Sequence, residues 1–236
     1  MLVMNGSFHR HEKERNKLDQ IEKTQVQQVA MLVRRKMESD QSGHDYEHVR
    51  RVVRNAQYLL DKEKKADDFK VLLACYLHDF YDEKLVQDVT AEKANLRHIL
   101  VQQFEISSDT INDIFQIIDQ MSFAHNLAET HKLSLEGQIV QDADRLDAIG
   151  AIGVFRAIRY GVVHGIADYD STLEPREELT QDNYREDTTI INHFYEKLFK
   201  LEKLMNTKAA KRIARSRTKL MQEFVSEYEA EYRGEK

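Results

Sequence analysis

The chain has one cysteine, one proline, eight glycines and no tryptophan in 236 residues. So few breakers leave room for long helices and little room for the many short strands of a sandwich or barrel. The lone Cys75 cannot close an internal disulfide, which fits a reducing compartment, and its apolar helical neighbourhood makes it a packing residue. No stretch approaches the roughly 18 uninterrupted apolar residues that a membrane helix needs. Residues 1–17, MLVMNGSFHRHEKERNK, turn charged before the apolar region of a secretory signal could form. A cytoplasmic protein without a membrane partner is expected. Excess basic charge is also lacking. Lys and Arg number 35 against 41 Asp and Glu, a net charge of -6, which argues against nucleic acid as a partner. The basic run Lys208 to Lys219 reads as a solvated helix face.

What is present is an ordinary globular composition, 41% hydrophobic and 32% charged, enough for one substantial core. Val49, Val52, Val53, Ala56, Leu59 and Leu60 follow the i, i+3, i+4, i+7 spacing of an amphipathic helix, with Ser42 and Asp45 as a capping-box start. Phe69, Leu72, Leu73, Tyr76, Leu77 and Phe80 repeat that spacing in a segment apolar on nearly every side, so this helix is expected at the centre. Further helices are expected near 21–38, 90–104, 108–121, 135–160, 187–205 and 208–232. In the penultimate one, Ile191, Phe194, Leu198, Leu201 and Met205 form one stripe. Residues 161–186, with Gly161, Gly165 and Pro175, read as a long irregular excursion. Residues 1–17 form a polar tail whose His9 and His11 are solvated. No repeat or linker divides residues 18–236, so a single all-α domain is expected.

The strongest local signal is Leu77-His78-Asp79, an imidazole and a carboxylate side by side at the end of the most apolar helix. Burying them together costs several kcal/mol unless they are paired or bound to a metal. An isolated His-Asp pair is common as a helix terminator. Here it has company. His48 borders the apolar stripe of the preceding helix and can face inward. Downstream, Asp142-Ala-Asp-Arg-Leu-Asp147 places Asp144 and Asp147 on one helix face, while Asp142 and Asp144 point about 200° apart. Only one of the latter two can easily face a shared metal.

These segments resemble the HD superfamily of metal-dependent phosphohydrolases. The likeness is greatest to a subgroup of small bacterial HD hydrolases, through Gly43-His-Asp-Tyr-Glu-His-Val-Arg-Arg-Val52, Leu77-His-Asp-Phe-Tyr-Asp-Glu-Lys84 and Gln141-Asp-Ala-Asp-Arg-Leu-Asp-Ala-Ile-Gly150. His193-Phe-Tyr-Glu-Lys-Leu198 and Met205-Asn-Thr207 add to it, so that roughly residues 20–230 are covered. The resemblance implies a single-domain HD-type helical bundle and makes His48, His78, Asp79 and Asp144 the metal ligands. It implies one divalent ion, manganese first, with magnesium, nickel, zinc or iron also suited to mixed imidazole and carboxylate ligands. His44, His98 and His125 are candidates for a second metal only if such a site exists.

The resemblance implies two catalytic residues: Asp79, and Asp82, which stands three residues after Asp79 where several HD hydrolases carry an acidic general acid or base. A phosphate substrate needs cationic clamps, for which Lys84, Arg51, Arg145 and Lys197 stand beside the motifs. The resemblance gives Asp147 a part in positioning substrate or water, and Asp45 is placed to orient the His48 imidazole. Relatives of this kind imply a small phosphorylated substrate, a (deoxy)nucleoside triphosphate cleaved to monophosphate and pyrophosphate. Nucleoside monophosphates and cyclic nucleotides are the alternatives, and a homodimer is left open.

Two other classes compete. His44-Asp-Tyr-Glu-His48 nearly matches the H-E-x-x-H helix of zinc proteases, but the base there must be Glu, and Asp45 is one methylene short. A non-catalytic nucleotide-binding or interaction module would be expected to have lost at least one of the four inferred ligands.

Overall fold

A computed structural model describes residues 17–37, 45–83, 85–121, 132–180 and 188–236. The described residues are helical with no strand: α1 (Gln20–Met37), α2 (Tyr46–Leu60), α3 (Asp68–Leu77), α4 (Val89–Gln102), α5 (Ser108–Met121), α6 (Leu135–Asp147), α7 (Gly150–His164), α8 (Ile190–Glu196), a 3-10 segment (Leu198–Leu204) and α9 (Lys208–Tyr232). Among them no helix is long and apolar enough to cross a membrane. The all-α class expected from the scarcity of breakers is what forms. His9, His11, Ser42, His44, Lys84 and His125 lie outside the described residues.

Helix α3 is the hub, packing on α1, α2, α5 and α6. Its start is fixed by Asp67, whose carboxylate accepts from the Phe69 and Lys70 backbone amides, an ordinary N-cap worth about 1 kcal/mol. Val71, Leu73, Ala74, Cys75 and Leu77 are completely buried. At about 2 kcal/mol for each large side chain, this wall fixes where α3 ends, and with it His78 and Asp79. The helix stops at Leu77 with His78 as C-cap, earlier than the apolar spacing suggested. Phe80 stays buried in a turn whose backbone N–H donates to the Leu77 carbonyl at 2.9 Å.

The amphipathic stripe of α2 is buried as its spacing requires and faces α6 and α3. The cap differs from the expected capping box. Asp45 is itself the N-cap, and its carboxylate accepts from the His48 backbone N–H.

The single helix expected over 135–160 is two. Helix α6 ends at Asp147, Ile149 is extended, and α7 restarts at Gly150, whose φ of +78° suits only glycine at low cost. A Cβ on Gly153 would sit 2.3 Å from the Ala148 carbonyl oxygen, so this second glycine lets α7 fold back against the end of α6. Helix α7 then runs to His164 and closes on Gly165, φ +67°, so the irregular excursion starts later than expected. It is tied down: Arg176 donates to Glu196, and Asn192 donates to the Leu173 carbonyl. The helix expected over 187–205 is likewise divided at Lys197, where α8 gives way to the 3-10 segment. The apolar stripe survives the change, since Ile191, Phe194, Leu198, Leu201 and Met205 are all buried.

Candidate metal centre

Three helices bring four side chains to one point. His48 comes from the first turn of α2, His78 and Asp79 from the end of α3, and Asp144 from the last turn of α6. Ring atoms His48 Nε2 and His78 Nε2 are 3.2 Å apart. Asp79 Oδ2 lies 3.5 Å from the former and 3.3 Å from the latter. Asp144 Oδ1 lies 3.5 and 3.9 Å from the same two nitrogens. The donor atoms of His48, His78 and Asp144 all fall within 4.8 Å of one another. Both histidines and Asp79 are buried; the Asp144 side chain is 36% exposed, so the cluster opens to solvent on its side.

The hydrogen bonds on the far side of each ring decide what the cluster can accept. His48 Nδ1 is 2.7 Å from Asp147 Oδ2, and His78 Nδ1 is 2.9 Å from the Cys75 carbonyl. Each acceptor takes a proton from Nδ1, which leaves the Nε2 lone pair of each ring facing inward. Two such lone pairs and two carboxylates converging in a buried space repel one another unless a cation lies among them. Burial would lower the His78 pKa, but the carboxylates of Asp79 and then Asp144 outweigh it and raise it to about 9. Two imidazole nitrogens and two carboxylates form a donor set that fits a first-row divalent ion.

Asp147 lies against the outer nitrogen of the His48 ring. It is 2% exposed and accepts from three cations or donors at once: His48 Nδ1, Arg51 through Nε at 2.7 Å and Nη2 at 3.1 Å, and Arg156 Nη1 at 2.8 Å. Burial would raise its pKa, but the hydrogen bonds from His48 and Arg51 and the charge of Arg156 hold it well below the usual carboxylate range. A carboxylate bonded to the outer nitrogen of an imidazole fixes its tautomer and ring plane. Asp147 performs this task, and Asp45 does not. The Asp45 carboxylate instead accepts from the His48 backbone N–H at 2.9 Å and from Arg159 Nη1 at 3.0 Å.

Asp142 faces away, as the 200° separation predicts. It is fully buried and accepts from the Asn206 and Thr207 backbone amides and from Asn206 Nδ2. Arg145 is drawn to the Leu204 carbonyl at the end of the 3-10 segment. Lys197 caps α8, a helix that packs on α7, α9 and the 3-10 segment. Asp82 is partly buried just past the α3 turn, its backbone N–H donating to the Asp79 carbonyl at 3.3 Å. His98 is exposed on α4. Sequence reasoning missed Arg156 and Arg159, whose approach to the site depends on the fold-back at Gly150. The available signal was the Gly150-x-x-Gly153 spacing.

The HD domain model matches residues 45–149, the span from the Asp45 cap through all four clustered side chains. YpgQ of Bacillus subtilis is 35% identical over 214 residues, covering 89% of this chain and 95% of that protein. The chain belongs to the HD domain family. A crystal structure from Lactobacillus plantarum superimposes with a TM-score of 0.82 at 43% identity, covering 89% of this chain and 98% of that one. YpgQ, solved in complex with ADP, superimposes at 0.71 with 32% identity over 89% and 96% of the two chains. An HD-superfamily hydrolase from Bacillus thuringiensis gives 0.71 at 33% identity over 90% and 98%. The protein is accordingly a hydrolase of the HD superfamily, as its motifs implied.

Proposed function

We propose that this HD protein is a metal-dependent nucleotide phosphohydrolase, acting foremost on (deoxy)nucleoside triphosphates to release the monophosphate and pyrophosphate. The observation that carries the reading is the convergence of the His48 and His78 Nε2 lone pairs with the Asp79 and Asp144 carboxylates, the two Nε2 atoms 3.2 Å apart. His48, His78, Asp79 and Asp144 would hold one divalent ion, manganese first. When bound, such an ion supplies Lewis acidity toward a phosphoryl oxygen and lowers the pKa of water in its open positions.

The chain's own residues do the rest. Asp147 holds the His48 ring in the tautomer that turns Nε2 inward. The partly exposed Asp144 side chain marks the open side from which substrate and water enter. Asp82, beyond the α3 turn, is the acid or base that exchanges a proton with the attacking water or the leaving group. The ADP complex of YpgQ supports a nucleotide as the phosphate ester or anhydride. Nucleoside monophosphates and cyclic nucleotides share the same reacting group and are the alternatives within the reading.

The test is a screen of wild type and Asp79→Ala against nucleoside tri-, mono- and cyclic phosphates with Mn²⁺, with inorganic phosphate and pyrophosphate quantified separately. Pyrophosphate release from triphosphates by wild type alone is expected. Full activity in Asp79→Ala, or no turnover of any phosphorylated compound by wild type, would refute the proposal.

A further inference from the structure

Helix α7 carries a feature that the hydrolytic chemistry does not use. Ile152, Phe155, Arg156 and Arg159 stand at i, i+3, i+4 and i+7, which is one continuous helix face. The opposite side, with Gly150, Gly153 and Gly161, is buried, where α7 packs on α9 and α8. The strip therefore looks outward, yet its two arginines reach back to the two carboxylates that are bonded to His48. Arg156 donates to Asp147, the carboxylate bonded to the His48 ring. Arg159 donates to Asp45, the carboxylate bonded to the His48 backbone. The two guanidiniums thus bracket His48, each one carboxylate removed from it.

Arg156 and Arg51 share the single Asp147 carboxylate. The side chains of Arg51, Arg156 and Arg159 are 22–39% exposed. Beside them, Phe155 is 70% and Ile152 43% exposed. A scattered exposed apolar residue means little. An exposed aromatic ring contiguous with arginines at the edge of a metal cluster fits a molecule with a polyanionic end and a flat apolar end.

We infer that this strip of α7 is the nucleotide-recognising face of the site. Arg156 and Arg159 take the phosphates that are not cleaved, and Phe155 with Ile152 takes the base. The inference rests on the nucleotide reading above and adds the residues that select for it.

The experiment is isothermal titration of the Mn²⁺-loaded protein with two probes, a non-hydrolysable α,β-methylene deoxynucleoside triphosphate and inorganic tripolyphosphate. Arg156→Gln and Arg159→Gln should each weaken both probes roughly ten- to hundred-fold, the scale of a lost charge-assisted hydrogen bond. Phe155→Ala should weaken the nucleotide about tenfold, as a lost base stack does, and leave tripolyphosphate unchanged. Arg159→Gln should keep its Mn²⁺ content, which separates phosphate binding from damage to the metal cluster. The inference is overturned if neither arginine variant changes either affinity, or if Phe155→Ala affects both probes equally. It is also overturned if Phe155→Ala halves the particle mass in light scattering without touching nucleotide affinity, which would make this face a contact between copies of the chain. Probe binding in the expected pattern with no turnover of any phosphorylated compound would sink the hydrolytic reading alone. Turnover without any arginine effect would sink the recognition face alone.

Discussion

Replacing Asp147 with Asn removes one charge from the residue that organises the site, with almost no change in shape. The carboxylate accepts four hydrogen bonds, from His48, from two nitrogens of Arg51 and from Arg156. A neutral amide has one oxygen to accept with, and its NH₂ meets donors. Each charge-assisted bond is worth about 1.5–3 kcal/mol, but they are not additive. Breaking a buried ion pair from one side costs about 3–5 kcal/mol, so Asp147→Asn should lose about 3 kcal/mol or more. In a chain of this size that lowers Tm by roughly 10 °C. The His48 ring would lose the bond that fixes its tautomer, for which the expected penalty is a 10- to 100-fold loss of metal affinity. Mn²⁺ titration calorimetry and thermal unfolding, with and without metal, measure both effects. Asp147→Asn that binds Mn²⁺ as tightly as wild type would refute the argument that this carboxylate positions His48.

Three further outcomes follow from the same geometry. Asp142→Ala should destabilise the fold by about 3 kcal/mol, because three N–H donors from Asn206 and Thr207 converge on a buried carboxylate. It should nevertheless keep one Mn²⁺ per chain by elemental analysis, whereas Asp144→Ala should lose metal and little stability. Gly150→Ala forces an L residue to φ +78° and sets its Cβ 2.9 Å from Arg217 Cγ. About 2 kcal/mol of destabilisation is expected by denaturant titration. His193 is depressed from 6.5 to about 3 by burial and by Lys197. Its unfolded form takes up a proton first as pH falls below 6.5, so the stability present above that pH is lost on acidification toward 3. The loss is about 1 kcal/mol between pH 6.5 and 5 after solvent screening, and His193→Gln should flatten that part of the urea-midpoint profile.

The α2 stripe and the all-apolar α3 were legible because their periodicity is a local property and burial enforces it. His78 and Asp79 stood out because a polar pair at the end of an apolar helix has to be satisfied. Asp142 could be separated from Asp144 only as facing opposite ways, since helix phase says which residues part and not which one meets a partner. The arrangement around Asp147 was not legible in the same way. Its partner His48 is 99 residues distant in sequence, and helix phase on either helix does not say that the two meet. The α6–α7 break hides inside continuous helical periodicity, and only the Gly150 and Gly153 pair marks it. Missing that break concealed Arg156 and Arg159, because in one straight helix neither could turn back toward α2. At Lys197 the apolar stripe continues through the change from α-helix to 3-10 geometry, so hydrophobic spacing alone had nothing to report.

The proposed site is one catalytic divalent ion held by His48, His78, Asp79 and Asp144. Its most direct test is the metal content of wild type and His78→Gln after Mn²⁺ saturation and desalting, read beside pyrophosphate release from a deoxynucleoside triphosphate. One Mn²⁺ per wild-type chain is predicted, with metal and activity lost together in His78→Gln. Equal metal content in the two proteins, or undiminished pyrophosphate release by the variant, would contradict it.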